Sequence, residues 1–284
     1  MTSTFATRTT RDVVRVSGPD AMSYLQGQLS QDLDALAVGT STWTFVLQPQ
    51  GKVDGWARIT KSSADCFCLD TDPGAGAALE ERLRRFLLRT KADIESFSEP
   101  CVLVRGPEAP REVEMHEGIL RLPVSGPGVE GYDLLGSGAE VPAGVEEADA
   151  ATYEAYRVAH GVPVVGRELD ENTIPAEVGQ WIVDQSVSFT KGCFVGQELV
   201  ARIDSRGGNV PRHLRIIVLE APVDVGAEIE ADGPAGPVTT AADGDGGPVA
   251  LAYCGRRVEP GSSVVVGGVH GVVHDVPLGA SGAA

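Results

Sequence analysis

The chain lacks the devices by which most enzymes announce themselves. No Gly-x-Ser-x-Gly elbow, His-Glu-x-x-His helix or P-loop occurs in its 284 residues, which removes the sequence signs of the common hydrolase, zinc-protease and NTPase chemistries. Gly126-Pro127-Gly128-Val129-Glu130-Gly131 spells a dinucleotide fingerprint, but Pro127 stiffens it and Tyr132-Asp133-Leu134-Leu135 follows where a helix is required. It therefore reads as a hairpin turn. No apolar window reaches the length of a membrane span, and Met1 to Arg8 has no signal-peptide core; the expectation is a cytoplasmic protein without membrane contact. Five cysteines, an odd number and scattered, do not make a disulfide framework. Cys66 and Cys68 share a strand face as half a metal site with no second half, and Cys101 and Cys254 sit in apolar runs, so burial is the reading for all four. His270 and His274 share a strand face with no third ligand nearby in sequence. Positive charge is also short: 23 Lys and Arg against 40 Asp and Glu leave a net charge of -17. Such a surface repels phosphate backbones, so direct nucleic-acid binding is not expected. A small anion needs only a local patch, for which Lys52, Arg58, Lys191, Arg202 and Arg206 are the candidates.

What is present is an α+β pattern. Asp12 to Val16 reads as a strand, followed by a helix start at Gly18-Pro19-Asp20 with Met22, Leu25 and Leu29 at helical spacing. Trp43 to Leu47 and Val53 to Ile59 read as strands about a glycine turn. Ala75 to Thr90 is helical, with Leu79, Leu83, Phe86 and Leu87 on one face and Glu80–Arg84 and Glu81–Arg85 on the other. A further helix, about Ala148 to His160, stops at Gly161-Val162-Pro163. After Arg206-Gly207-Gly208-Asn209 come short apolar strands separated by Gly, Pro and Asp, including Leu214–Leu219, Val249–Tyr253 and Ser263–Val266. That is the composition of a small barrel. Within it, Asp243 to Gly247 reads as a turn, because a calcium loop's remaining ligands are missing.

The chemistry-bearing stretch is Lys191-Gly192-Cys193-Phe194-Val195-Gly196-Gln197-Glu198. A thiol lies between two glycines just ahead of a helix start. The glycines free the backbone, while helix amides and Lys191 would favour thiolate over thiol. Phe194, Val195, Leu199 and Val200 supply the apolar anchor, so Cys193 is not needed as core filler.

This octapeptide resembles the signature of the YgfZ family, folate-binding relatives of the glycine-cleavage aminomethyltransferase (T-protein) that support iron-sulfur enzymes. Three further blocks resemble the family in order: Ser17-Gly18-Pro19-Asp20-Ala21 with Tyr24 to Leu33, Leu47-Gln48-Pro49-Gln50-Gly51-Lys52, and Arg157 to Glu177 ending in Ile174-Pro175-Ala176-Glu177. The resemblance implies an aminomethyltransferase-like fold with a central cavity and a C-terminal β-barrel. It also implies a folate-binding region over 1–208 built of two interleaved α+β subdomains, a barrel over 209–279 and a disordered tail over 280–284. T-proteins carry an aspartate where Cys193 stands, and their paired aspartates are reduced here to Asp54 followed by Gly55. A thiol cannot stand in for both carboxylate oxygens, which argues against aminomethyl transfer.

The resemblance implies tetrahydrofolate or a derivative as cofactor, and iron-sulfur client proteins or assembly factors as partners. In that reading Cys193 is the working thiol, aided by Lys191 and Arg202, and Glu177, Asp54, Tyr153 and Gln197 attend the folate. Glu177 either meets the pterin's amino-pyrimidine edge or is a helix-start carboxylate. Tyr153 and Tyr156 either stack on the pterin or pack. The rival readings are a folate-dependent one-carbon transferase with Asp54 or Glu177 as acid/base group, and a folate sensor or tRNA-modification helper.

Overall fold

Apolar residues at alternate positions build the long strands, and glycine turns fold them back. A computed structural model describes residues 4–278 except Met115 and Asp245; the expected 280–284 tail lies outside the described residues. The first part of the chain runs β1 (Phe5–Ser17), α1 (Ala21–Gln28), β2 (Ser41–Leu47), β3 (Val53–Ser63), β4 (Cys66–Thr71), α2 (Gly76–Arg85) and β5 (Asp93–Arg105). It continues through β6 (Leu120–Pro123), β7 (Gly131–Leu135), β8 (Glu146–Glu147), α3 (Ala150–Ala159), α4 (Pro175–Val178), α5 (Gln180–Ser186) and α6 (Gln197–Asp204). The last part holds β9 (Arg212–Leu219), β10 (Ile229–Glu230), β11 (Ala235–Gly244), β12 (Gly247–Gly255), β13 (Ser263–Val266) and β14 (Val269–His274).

Strands β1 to β8 form one sheet in the order β2-β3-β4-β1-β5-β7-β6, with β8 parallel to the start of β1. Its spine is the antiparallel β1–β5 pair, in register from Phe5↔Arg105 to Ser17↔Asp93. Strands β9 to β14 form a second sheet in the order β10-β13-β14-β9-β12-β11. It curls until Gly226 N–H donates to Val238 O (2.8 Å) and Val238 N–H to Ala227 O (3.0 Å). The α+β class and the barrel-like end therefore stand as read from the sequence.

The three largest of five apolar clusters among the described residues carry most of the packing. One lies between α1, α2 and the β2-β3-β4-β1 part of the sheet, around Leu25, Leu29, Ile59, Phe67 and Leu83. A second joins the two sheets through α4, α5 and α6, with Phe45, Leu47 and Trp56 against Leu214, Ile216 and Leu251. A third fills the smaller sheet around Ile217, Ala250 and Val266. The helix expected over 75–90 ends at Arg85. Beyond it, Lys91 N–H donates to Asp20 Oδ2 (2.8 Å) and Asp20 N–H to Lys91 O, so tertiary contacts with the α1 start override the helical spacing of Leu87. Helix α3 opens on Asp149, whose side chain accepts from Thr152 N–H at 2.9 Å, and its C-terminal turn ends at Gly161 with φ 64°.

Candidate functional site

Six charged residues embedded in otherwise apolar strands meet at the centre of the larger sheet. Arg58 on β3 faces Asp70 on β4 across the ladder. It donates to both carboxylate oxygens, at 3.0 Å from Nε and 2.8 Å from Nη2. Its Nη1 donates to Asp133 Oδ2 (2.8 Å) and Pro123 O (2.7 Å). Arg11 donates to Asp70 Oδ1 (3.1 Å) and Asp72 Oδ1 (2.6 Å). Arg105 Nη1 lies 2.8 Å from Asp133 Oδ1 as an ion pair, at an angle that leaves Oδ1 without a hydrogen bond. Burial alone would push the Asp133 carboxyl up, but Arg105, Arg58 and Arg11 together hold it below the ordinary carboxylate range. Burial likewise opposes charge on Arg58, and Asp70 and Asp133 more than offset it.

This charged floor underlies a narrow hollow of about 40 Å³, walled by Trp43, Trp56, Tyr153 and Tyr156 and reached by Arg157 and Ser125. Trp43 stacks on Trp56 at 4.1 Å and 24°, and Trp181 meets Trp56 edge-on at 6.3 Å. The three tryptophans of the chain thus form one cluster, of which Trp43 and Trp56 line the hollow. The guanidinium of Arg58 lies 5.4 Å from the Trp43 ring and that of Arg105 5.5 Å from Tyr153. Two lining residues carry buried polar atoms that make no hydrogen bond among the described residues: the donor Trp43 Nε1, and Asp133 Oδ1, which is ion-paired to Arg105.

The octapeptide loop lies elsewhere, seated on two of the other motif blocks. Lys191 Nζ donates to Gln26 O (2.7 Å), Leu29 O (2.8 Å) and Gln31 O (2.8 Å). Val195 N–H donates to Gly27 O at 3.1 Å and Ser188 N–H to Ser30 O at 2.9 Å. Gly196 (φ 84°) touches the β2–β3 turn so closely that a Cβ there would come within 2.6 Å of Gln48 O. A Cβ on Gly51 (φ 80°) would come within 2.6 Å of Leu199 Cβ. Cys193 sits on this loop, exposed.

The seven residues singled out in the sequence do not converge on one site. Tyr153 lines the central hollow. Asp54 opens onto a separate cleft of about 290 Å³ with Thr71, Ala78, Leu79 and Val165, and its Oδ2 accepts from Arg82 Nε at 2.6 Å. Only a partition separates the two spaces, where Val165 N–H donates to Asp72 Oδ2 at 2.9 Å. Glu177 is buried; Oε2 accepts from Ile174 N–H and Arg212 Nη2, both at 3.1 Å, while Oε1 is 3.1 Å from Arg212 Nε. The helix-start role therefore describes the geometry of Glu177. Gln197 Oε1 accepts from Phe194 N–H at 3.1 Å and closes the loop. Arg202 is exposed, with no ion pair among the described residues.

The expected stabilisation of a Cys193 thiolate is corrected in both its parts. Helix α6 starts only at Gln197, so Cys193 is four residues outside it. The Lys191 ammonium is committed to its three carbonyls, and burial pushes it down to about 8 against the favourable charges of Asp32 and Asp34. Two members of the expected cationic patch are withdrawn from it, Arg58 being buried against carboxylates and Lys191 held by loop carbonyls, while Arg202 and Arg206 lie exposed on and after α6 and Lys52 follows the Gly51 turn that packs against Leu199. Sequence reading missed Arg11, Arg105, Asp70 and Asp133. Part of their signal was available, since Arg105 and Asp133 adjoin apolar strand residues, as in Leu103-Val104-Arg105 and Tyr132-Asp133-Leu134, whereas Arg11, between Thr10 and Asp12, carries none.

No protein-family model matches the chain. It is 30% identical over 242 residues to an uncharacterized protein of Haemophilus influenzae, covering 80% of this chain and 79% of that protein. It is 27% identical over 226 residues to the tRNA-modifying protein YgfZ of Photobacterium profundum, covering 74% and 68%. To the mitochondrial iron-sulfur cluster assembly factor IBA57 of Mus musculus it is 30% identical over 240 residues, covering 75% and 65%. Among solved structures, the glycine cleavage system aminomethyltransferase T from Bartonella henselae aligns with a TM-score of 0.77 over 96% of this chain and 86% of that one. At 18% identity this is a likeness of fold.

Proposed function

Because the chain belongs to the family of the YgfZ and IBA57 proteins, we propose that it is a tetrahydrofolate-binding accessory protein. It supports assembly, repair or maintenance of iron-sulfur clusters in cytoplasmic client enzymes, including those that thiolate tRNA. The folate-binding region corresponds to 1–208 and the barrel to 209–279. The observation that carries the folate assignment is the aromatic hollow itself, lined by Trp43, whose buried Nε1 donor has no partner among the described residues, and by the Asp133 carboxylate, which is ion-paired to Arg105. A pterin offers a flat ring to stack, an amino-pyrimidine edge to donate and a carbonyl to accept, so donor, acceptor and wall suit it. Tyr153 would stack on that ring. Folate, once bound, supplies a one-carbon carrier.

Cys193 belongs to the second half of the proposal. In this reading its exposed thiol engages a cluster, a persulfide or a partner thiol, aided by Lys191 and Arg202. A folate-dependent one-carbon transferase is the alternative, favoured by the Asp54 carboxylate at its open cleft; it requires turnover without any cluster protein. The test is a titration of tetrahydrofolate read by tryptophan emission, paired with rescue of a tRNA-thiolating enzyme in a strain lacking the gene. Tyr153→Ala should weaken binding about 3- to 10-fold. Cys193→Ala should bind folate normally and fail to rescue. Rescue by Cys193→Ala, or no folate binding by wild type, would overturn the proposal.

A further inference from the structure

A hydrogen-bonded chain through two buried serines joins the aromatic hollow to the exposed thiol loop. Trp56, in the wall of the hollow, donates from Nε1 to Ser186 Oγ at 2.9 Å. Ser30 Oγ donates to Ser186 O at 2.6 Å and accepts from Phe45 N–H at 2.9 Å. Ser30 O then accepts from Ser188 N–H, and Lys191 Nζ takes the carbonyls on either side of Ser30, those of Leu29 and Gln31. Ser186 and Ser30 are both fully buried. Burial shields the bonds at these two serines from water, while Ser188 and Lys191 at the loop end are half-buried. Ser186 ends α5, and Ser30 opens the connection on which the Cys193 loop rests; Gln31 Nε2, which donates to Gln185 O at 3.0 Å, ties the same two segments beside them.

We propose that a ligand in the central hollow acts as an effector of the Cys193 loop, transmitted through Trp56, Ser186 and Ser30. Resting on the folate reading above, it gives folate a structural part to play: the ring against Trp43 and Trp56 fixes the Trp56 indole, and that fixes the Ser186–Ser30 seam under the loop. Lys191 is then a positioning residue at the far end of the seam. Coupling is a free energy shared by the two ends, so it must be visible from each.

The experiment is amide hydrogen exchange of residues 187–195, resolved at Ser188 and Val195, with and without saturating tetrahydrofolate. In wild type the ligand should raise protection of these amides about fivefold, within the range of measured couplings. Ser186→Ala should still bind tetrahydrofolate, by tryptophan emission, yet lose that gain. Lys191→Met, which loosens the loop from the other end, should weaken tetrahydrofolate by a similar factor, and Lys191→Arg should restore most of it. Binding without any change of protection in wild type overturns the coupling alone. Absence of binding overturns it together with the folate reading. Should Ser186→Ala fail to fold, the Lys191 pair decides, and an affinity unchanged in Lys191→Met counts against the coupling.

Discussion

Replacing Asp133 by Asn should destabilise the fold by about 3 kcal/mol at pH 7. In wild type three guanidinium groups, Arg11, Arg58 and Arg105, share three carboxylates, Asp70, Asp72 and Asp133. The variant keeps shape and removes one negative charge, leaving three cations with two anions in a dry setting. Breaking a buried pair costs about 3–5 kcal/mol. The lower end applies because Arg58 keeps both bonds to Asp70 and its bond to Pro123 O, and Arg105 still donates to Val104 O and Tyr132 O. The pH dependence follows from the same group. The Asp133 carboxyl is held below its ordinary range in the folded state, so its contribution is fully present above the unfolded value near ~3.9. It is lost as pH falls through the folded value. Urea unfolding followed by tryptophan emission should therefore give a constant gap between wild type and Asp133→Asn from pH 7 to about 4, narrowing below. A cost under about 1 kcal/mol at pH 7, or a gap that stays open in acid, would refute the account of the charged floor.

Two further substitutions probe the seat of the thiol loop and the buried carboxylate. Gly196→Ala combines a left-handed backbone with a Cβ 2.6 Å from Gln48 O and 2.7 Å from Leu47 Cβ, and should cost about 3 kcal/mol in urea unfolding; a loss below about 1 kcal/mol would contradict the close packing of the two turns. Glu177→Gln weakens a capping carboxylate paired to Arg212, and should lower stability by about 1–2 kcal/mol while leaving tetrahydrofolate affinity within about twofold. A large loss of affinity with unchanged stability would return Glu177 to the ligand.

Local pattern made much of the framework legible. The spacing of Leu25 and Leu29 and the turn at Gln48 to Gly51 lie where the sequence puts them, because short-range periodicity and glycine backbone freedom act within a few residues. Cys193 on an exposed loop was equally readable from its flanking glycines. The partners of charged side chains were not. Lys191 reads as a helper for the thiol by proximity in sequence, yet its three acceptors lie about 160 residues earlier, on the segment from Gln26 to Gln31. Likewise Glu177 finds Arg212 on β9, and Arg58 finds Asp133 on β7. Desolvation makes such pairings obligatory once the strands close, but it acts through tertiary contact that spacing along the chain does not encode.

The mutual approach of Gly51 and Gly196 binds two distant segments into one part. Each turn leaves room for the other only while both lack a side chain. The thiol loop is thus not a portable peptide: transplanted without the hairpin that cradles it, the octapeptide would have no fixed shape, and lengthening either turn would unseat its mate. Whatever alters one of these turns over generations must be answered in its counterpart, 145 positions away.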